Sequence, residues 1–398
     1  MKCVSARPFS AGAIILIERA WSTDSAKFPP RRKARPIAAR LGIYNRIHSR
    51  TQKRGMQMRR LGLIQGAVAS LALVGWLPLA QADTLDVVKD RGYVQCGVTT
   101  GFAGFSTPDD KGQWHGLDID LCRAVAAAVL GDADKFKAVP LNSQQRFTAL
   151  QSGEIDLLAR NTSVTQRRDT ALGAIHAGIN FYDGQGFLVP KELGVTSAKE
   201  LDGATICMQT GTSNENTMAD WARANNIKYK PVVIEQFSEV VNAFAAGRCD
   251  VFSTDASGLA SIRISKLKNP DDYVVLPEII SKEPLGPFVR QGDDVWLNAV
   301  KWSLMAMIEA EELGVTSANV EQQLKSSSPS IQRLLGVVPG AGKNLRLDDK
   351  WAYNIVRQVG NYGESYERNV GMGSPLKIPR GLNALWTKGG LMYALPIR

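Results

Sequence analysis

Residues 156–168 read DLLARNTSVTQRR, and this stretch decides the fold class. Its apolar run, Leu157–Ala159, is typical of a buried strand and gives way to small hydroxyl and amide residues. Thr165 then opens a charged segment that favours a helix. A strand, a polar turn and a helix start gather unpaired backbone N–H groups at the positive end of a helix dipole. Arg168 follows Thr165 by three residues and can fold back over the turn. The stretch therefore predicts a site for a small anion such as a carboxylate.

Strand and helix patterns alternate on the N-terminal side of this stretch. Such alternation indicates an α/β domain built on a parallel sheet. The predicted strands are Tyr93–Val98, Phe136–Pro140 and Ile155–Ala159, and the predicted helices are Leu121–Leu130 and Gln144–Gln151.

The same order of elements repeats further along the chain, and a mostly helical segment follows from about Leu285. In both halves a Gly-x-x-Asp element, Gly153–Asp156 or Gly247–Asp250, leads into the last strand. Two similar α/β lobes with polar turns after their strands indicate a ligand cleft at the strand ends. The predicted strands here are Ala204–Met208, Lys230–Ile234 and Cys249–Ser253, and the predicted helices are Glu215–Asn225, Phe237–Ala246, Trp296–Leu313, Ile331–Val337 and Trp351–Tyr362.

The charge of the chain is unevenly distributed. Of 48 Lys and Arg residues, 15 fall in residues 1–60, which leaves 33 in the remainder. Of 38 Asp and Glu residues, only Glu18 and Asp24 fall there, which leaves 36. The body of the protein is thus mildly acidic, so the formal net charge of +10 does not predict a nucleic-acid-binding protein.

The pattern of residues 56–82 is that of a secretory signal peptide. A basic segment, Met56–Arg60, precedes the apolar run Leu61–Leu79, and Ala80–Ala82 is an A-x-A cleavage site. A transmembrane anchor is the alternative, but the run is short, contains glycine and proline and ends in the cleavage site. No cysteine sits at or just after the site to carry a lipid anchor. We expect translation to start at Met56 or Met58, which makes residues 1–55 an over-extended reading frame.

Four cysteines lie after the predicted cleavage site: Cys96, Cys122, Cys207 and Cys249. An even number in an exported protein predicts two disulfides, and three pairings are possible. We favour Cys96–Cys122 and Cys207–Cys249, because each bridge then stays within one lobe. A metal site is not expected, since there is no C-x-x-C motif and the histidines lack ligand spacing.

Four segments in this order resemble one known family. They are Phe102–Ser106, Gly112–Asp120, Ser163–Arg168 and Gln209–Thr212. Together they resemble the periplasmic amino-acid-binding proteins of ABC transporters, solute-binding protein family 3, over roughly residues 84–398. The segment 143–147 and the long C-terminal part are most similar to the general L-amino-acid-binding branch.

The resemblance implies the type II periplasmic binding protein fold, in which each lobe is a mainly parallel sheet flanked by helices. A hinge of two strands joins the lobes, and we expect the crossings near Gly186–Pro190 and Leu276–Val289. Lobe one is then 83–188 with 286–398, and lobe two is 189–285. Such lobes close on the ligand, and the permease recognises the closed form.

The same resemblance implies the residues that hold an amino acid. Arg168 matches the arginine that binds the α-carboxylate, with Ser163 assisting, and a guanidinium suits a carboxylate because both can form two parallel bonds. Asp255 matches the aspartate that pairs with the α-ammonium. The structural alternatives are a solvated helix arginine and an ordinary cap or turn aspartate.

Further positions match less distinctive roles. Thr212 and Ser213 match residues that bind the carboxylate from lobe two, although helix capping is equally natural there. Phe102 matches an aromatic residue that packs on the ligand. Arg146 is a candidate for an acidic or amide ligand side chain, or else a surface residue. Asn161 replaces a serine that is common in the family. Thr99 stands where receptors for basic amino acids can carry an acid, which argues against exclusive Lys or Arg selectivity.

The predicted function is a periplasmic receptor for L-amino acids with broad specificity, including polar and acidic ones. It delivers them to the permease of an ABC importer in the inner membrane of a Gram-negative cell. We expect a monomer without cofactor, metal or nucleic acid. The alternative is a small-acid dehydratase on the same fold, which needs a general acid or base in the cleft, whereas neither His115 nor His176 lies in a predicted cleft loop. A sensor domain lacks the expected second membrane segment or kinase.

Overall fold

The computed structural model describes residues 83–398. The predicted signal peptide, the segment 1–55 and Cys3 lie outside the described residues. Within residues 83–398, no helix has both the length and the apolar character needed to cross a membrane.

The described residues form fourteen strands and thirteen α-helices. The strands are β1 (Val94–Val98), β2 (Thr107–Pro108), β3 (Trp114–His115), β4 (Phe136–Pro140), β5 (Leu157–Leu158), β6 (Ala174–His176), β7 (Phe181–Asp183), β8 (Gln185–Pro190), β9 (Thr205–Gln209), β10 (Lys230–Ile234), β11 (Val251–Asp255), β12 (Tyr273–Val275), β13 (Glu283–Leu285) and β14 (Phe288–Arg290). The helices are α1 (Thr84–Arg91), α2 (Leu117–Leu130), α3 (Arg146–Ser152), α4 (Gln166–Ala171), α5 (Asn214–Ala224), α6 (Phe237–Ala245), α7 (Ala256–Ser265), α8 (Asp294–Glu312), α9 (Val320–Gln323), α10 (Pro329–Leu334), α11 (Ala341–Asn344), α12 (Trp351–Gln358) and α13 (Tyr362–Asn369).

Two five-stranded sheets organise the molecule, and each sheet with its helices is called a lobe below. The sheet of lobe one has the order β4-β1-β5-β14-β6, and the sheet of lobe two has the order β10-β9-β11-β8-β12. In lobe one, β14 is antiparallel to both neighbours, and β8 has the same relation in lobe two. The other four strands of each sheet share one direction, so the prediction of mainly parallel sheets is confirmed.

A separate two-stranded ribbon connects the lobes. Its strands, β7 and β13, pair antiparallel with Glu283 opposite Asp183. The chain leaves lobe one through β7 and returns through β13. The first crossing therefore precedes the predicted one, because Gly186–Pro190 belongs to strand β8 of lobe two. The second crossing lies within the predicted range.

Each lobe carries one disulfide. Cys96 on β1 bonds to Cys122 on α2, and Cys207 on β9 bonds to Cys249, with Cα–Cα distances of 6.2 and 5.6 Å. These are the favoured pairings. Neither bridge crosses between the lobes, so neither restrains their relative movement directly.

The C-terminal helices enlarge the core of lobe one. Trp296, Trp351, Tyr362 and Tyr366 are among the largest fully buried side chains. The predicted continuous helix 351–362 is instead two helices, α12 and α13. Gly360 between them has φ 93°, and Asn361 begins α13 with a reciprocal capping box to Glu364.

Candidate ligand-binding site

A polar cavity lies between the lobes at the ends of both sheets. The space between the side chains is about 470 Å³ when the part open to solvent is included, and about 30 Å³ of it can hold the centre of a water-sized sphere. This is the location expected for a ligand in open α/β sheets. Its lining residues are Thr99, Thr100, Phe102, Ser143, Arg146, Arg160, Asn161, Ser163, Arg168, Gln209, Thr212, Ser213, Asn214, Phe237, Thr254 and Asp255.

The structure places all eight predicted ligand-binding residues in this one lining. Lobe one contributes Phe102, Arg146, Asn161, Ser163 and Arg168, and lobe two contributes Thr212, Ser213 and Asp255. Positions that are 153 residues apart in sequence, Phe102 and Asp255, thus meet at one cavity because the crossing ribbon brings the two sheet ends together.

Arg168 folds back over the turn that precedes its helix, as predicted. Its backbone N–H donates to the hydroxyl of the N-cap Thr165, and its Nη1 donates to the carbonyl oxygen of Ser163 at 2.9 Å. The side chain is buried, unlike that of its exposed neighbour Arg167. Burial lowers the pKa of Arg168, and the carboxylates of Glu283 and Asp255 oppose this change.

Asp255 ends strand β11 and begins helix α7, yet its side chain makes no capping hydrogen bond. Instead, Asn214 Nδ2 donates to its Oδ1 at 3.0 Å. Burial raises the pKa of Asp255 well above its ordinary value, and Asp183 and Glu283 add to the effect. A cation in the cavity would therefore strongly stabilise the charged form of Asp255.

Two further guanidiniums lie beside Arg168. Arg146 and Arg160 are only 2% and 5% exposed, so Arg146 is not a surface residue. Arg146 donates to Thr162 Oγ1 and to the carbonyl of Gly211, while its Nε has no partner. Burial and Arg168 lower the pKa of both side chains, to about 10 for Arg160, and Arg160 adds to the lowering for Arg146. Within residues 83–398, no carboxylate forms an ion pair within 4.0 Å of these three arginines.

One hydrogen bond within the turn and one to the crossing strand β13 hold the turn of lobe two. Thr212 Oγ1 donates to the carbonyl of Gln209 at 2.8 Å, and Ser213 Oγ donates to Glu283 at 2.8 Å. Neither side chain caps helix α5. The equally natural capping role considered from the sequence is therefore not adopted by these residues.

Asn161 and Ser163 shape the turn after β5. Asn161 has φ 30°, a conformation uncommon for a residue with a side chain, and its N–H donates to Asp118 at 2.7 Å. Its Oδ1 is buried without a partner. Ser163 Oγ lies 3.2 Å from Ser213 Oγ across the cavity.

Phe102 forms the aromatic wall of the cavity and reaches the other lobe. Its ring centroid lies 5.5 Å from that of Phe237 on α6. A Cβ at Gly258 would lie 2.8 Å from the Phe102 ring, so the glycine permits this approach. Phe105 packs behind Phe102 at 5.3 Å.

Several polar bonds join the lobes directly, so the described arrangement is closed. Ser143 Oγ donates to Gln209 at 2.9 Å, and Asn142 Nδ2 donates to Glu235 at 2.7 Å. The contact of Arg146 with Gly211 also crosses the cavity.

Sequence reasoning missed Arg160, Gln209, Asn214 and Phe237 as individual lining residues. Arg160 lies two residues after the end of strand β5, so its position at a carboxyl strand end was a usable signal. Asn214 directly follows Ser213 in the turn of lobe two, so it too had a usable signal. Phe237 is separated from any recognisable turn motif, and only the folded arrangement brings it to the cavity.

The two histidines of residues 83–398 do not line the cavity. His115 contacts Asp109 at 3.1 Å, and His176 contacts Asp169 at 2.8 Å. Among residues 83–398, no three or more His, Cys, Asp and Glu side chains are grouped to hold a metal ion.

Two lobes that meet over a buried, charged cavity define a class of protein, the two-lobed receptors that enclose a ligand. Comparisons agree with this class. Residues 94–318 match the sequence model of the family of bacterial extracellular solute-binding proteins, family 3. The chain belongs to this family.

Individual relatives match most of the chain. The general L-amino acid-binding periplasmic protein AapJ of Rhizobium johnstonii is 55% identical over 338 residues, which is 84% of this chain and 99% of the relative. The glutamate/glutamine/aspartate/asparagine-binding protein BztA of Rhodobacter capsulatus is 53% identical over 334 residues, 84% of this chain and 98% of the relative. A periplasmic binding protein from Brucella ovis with glutathione bound is 55% identical, with a TM-score of 0.79 over 80% of this chain and 100% of its own. The chain is accordingly a solute receptor and not an enzyme, and the dehydratase alternative has no support.

Proposed function

We propose that the protein is a periplasmic receptor for L-amino acids that delivers them to an ABC importer. One observation carries the proposal: Arg168 of lobe one and Asp255 of lobe two face the same buried cavity without pairing in an ion pair. Buried charges are costly unless they find partners. The α-carboxylate and α-ammonium of an amino acid supply both partners at once.

The ligand range that we propose is broad and includes polar and acidic amino acids. Arg146 and Arg160 add positive charge beside the Arg168 turn, and both are buried. The unpartnered Arg146 Nε and Asn161 Oδ1 offer a donor and an acceptor. These groups suit a carboxylate or amide side chain. That range is consistent with the two relatives named above for binding general L-amino acids and for binding glutamate, glutamine, aspartate and asparagine.

The proposed route follows from the family and the sequence. The segment 56–82 acts as a signal peptide and is removed after Ala82, so the receptor begins at Asp83. It works as a monomer in the periplasm of a Gram-negative cell. The permease subunits in the inner membrane receive it with its lobes closed.

The test is calorimetric titration of the mature protein with all twenty L-amino acids and with small organic acids. Arg168→Ala and Asp255→Ala are each expected to weaken amino-acid binding at least about 100-fold, because each leaves a ligand charge buried without a partner. The matched controls are Arg167→Ala and Asp220→Ala, whose side chains are exposed and outside the cavity lining.

Near-normal affinity in either cavity variant would refute the assignment of that residue. Absence of binding by any amino acid in the wild-type protein would refute the function. Glutathione belongs in the same titration, because its glutamyl end carries a free α-ammonium and α-carboxylate. Tighter binding of glutathione than of every amino acid would redefine the ligand as a small peptide.

A further inference from the structure

Glu283 is a buried carboxylate with no role in the site described so far. It begins the crossing strand β13 and is only 2% exposed. Ser213 Oγ donates to its Oε2 at 2.8 Å, and Ser281 Oγ donates to its Oε1 at 2.7 Å. Charged side chains are almost never so completely buried without a specific purpose.

Backbone pairing fixes Glu283 next to the turn that carries Arg168. Val164 N–H donates to the carbonyl of Pro284 at 2.7 Å, and Ser163 forms an isolated antiparallel bridge with Leu285. The residue after Glu283 is thus bonded to the turn of lobe one, while its own side chain is bonded to the turn of lobe two.

A continuous set of hydrogen bonds links Glu283 to the anion-binding end of the cavity. Arg168 Nη1 donates to the Ser163 carbonyl, and the Ser163 hydroxyl meets the Ser213 hydroxyl at 3.2 Å. Because Ser213 donates its only hydroxyl proton to Glu283, Ser163 must be the donor in the contact between the two serines. The Ser213 oxygen is therefore left as an acceptor, which suits an ammonium better than a carboxylate.

Three acids form one electrostatic group at the crossing, and we call Asp183, Asp255 and Glu283 the acidic end. Asp183 lies opposite Glu283 in the ribbon. Glu283 opposes the lowering of the Arg168 pKa and contributes to the raised pKa values of Asp255 and Asp183, where desolvation is the larger cause. The charge of Glu283 therefore acts on Arg168 in lobe one and on Asp255 in lobe two.

We propose that Glu283 is a positioning residue that makes the cavity select zwitterions over acids lacking an α-ammonium. The inference rests on the proposed function. A ligand that brings only a carboxylate adds negative charge near the acidic end, whereas an α-ammonium offsets that charge. Glu283 contributes through its charge and through the orientation of Ser213, without lining the cavity itself.

The test compares matched ligands in wild-type protein and Glu283→Gln. L-Glutamate is compared with glutarate, and L-alanine with propionate, because each pair differs only in the α-ammonium. Weak ligands are measured by displacement of the tightest-binding amino acid. In the Glu283→Gln variant, the new amide oxygen still offers one acceptor to Ser213, and the negative charge is removed. We expect the preference for the amino acid over its deaminated analogue to fall roughly tenfold, since two charges several ångströms apart in a partly buried site interact on that scale.

Three variants separate charge from structure. Glu283→Asp keeps the charge on a shorter side chain and is expected to retain the preference while losing affinity for both ligands of a pair. Ser213→Ala is expected to weaken the binding of both ligands of a pair. It should change the preference for the amino acid less than Glu283→Gln does. Glu235→Gln removes an exposed acid that also bonds across the lobes to Asn142, and it should leave the preference unchanged.

An unchanged preference in Glu283→Gln overturns the proposal, whether or not both affinities fall together. Should Glu283→Gln fail to fold, loss of the preference in a folded Glu283→Asp protein would equally overturn it. Binding of amino acids by the wild-type protein is measured in the same series. A failure of the proposed function is therefore distinguished from a failure of the role of Glu283.

Discussion

Asp118 shows how a residue outside the cavity determines its shape. It lies buried in the first turn of α2 and accepts hydrogen bonds from the Asn161 N–H at 2.7 Å and from Asn180 Nδ2 at 3.0 Å. These bonds hold Asn161 in its uncommon backbone conformation. Burial raises the pKa of Asp118 to about 6, although the two donors and Arg160 favour the charged form. Asp118 thus stabilises the turn while being costly to ionise.

The raised pKa gives a pH-dependent prediction for Asp118→Asn. The pKa of the Asp118 carboxyl is higher in the folded than in the unfolded state. The unfolding free energy of the wild-type protein therefore falls as the pH rises from about 4 to about 6. The variant lacks this loss, so the difference in unfolding free energy, variant minus wild type, should rise by about 3 kcal/mol across that window and then level off. Thermal melts between pH 4 and 8 measure it. Parallel curves for the two proteins would contradict the prediction.

Residue-scale prediction from sequence succeeded where a residue has a local signal. The fold-back of Arg168 followed from its spacing to Thr165, because an N-cap and the third residue after it are neighbours in any helix start. Glu283 had no such signal. Its partners Ser213 and Asp183 lie 70 and 100 residues away in sequence, so only the crossing of the chain brings them together.

The segment after the family-matching region stabilises the crossing ribbon from outside. The side chain of Asn383 accepts from the Tyr182 N–H at 2.6 Å and donates to the Tyr182 carbonyl at 3.1 Å. Tyr362 OH donates to the carbonyl of Asn180 at 2.9 Å, just before β7. The Asn383 side chain thereby satisfies both backbone groups of Tyr182 on β7. Short two-stranded ribbons are marginal without such support.

Asn383→Ala should therefore loosen strand β7. Two hydrogen bonds to one backbone unit are lost, and we expect a decrease of about 1–3 kcal/mol in the unfolding free energy. The sharper measurement is amide hydrogen exchange, in which Tyr182 should lose protection. Asn344→Ala, an exposed asparagine on α11, is the control. Unchanged exchange at Tyr182 in Asn383→Ala would exclude the supporting role.

Element-scale prediction depended on length. The long helix α8 and the core strands of both sheets were recognisable because their apolar patterns extend over several residues. The three-residue strand β7 is too short to show a pattern, so the sequence predicts the first crossing at the stronger strand β8 instead. The division between α12 and α13 was readable in principle, since glycine followed by Asn-x-x-Glu is both a stop and a start signal.

At the scale of the whole molecule, closure is the property on which binding depends. The described contacts across the cavity include Ser143 with Gln209 and Phe102 with Phe237. The three guanidiniums of lobe one repel one another in this arrangement, and an anionic group between the lobes relieves that repulsion. A ligand can shift the population toward the closed form only to the extent that it binds that form better.

We expect saturation with a bound amino acid to decrease the radius of gyration measured by small-angle X-ray scattering. The closed form should then fit the described arrangement. The radius of gyration of Arg168→Ala should not decrease at the same ligand concentration, because this variant lacks the guanidinium that binds the ligand carboxylate. An identical radius of gyration for free and saturated wild-type protein would show that the lobes do not move.

The pairing of β7 with β13 affects which segments of the chain can be exchanged between related proteins. The two strands run antiparallel with Glu283 opposite Asp183, so the start and the end of lobe two leave lobe one side by side. Residues 184–282 can thus be regarded as a cassette inserted between two neighbouring points of a host. Exchanging this cassette between relatives would transfer Asp255 and the Ser213 turn while leaving Arg168 in place. The two halves of amino-acid recognition are therefore free to be inherited separately.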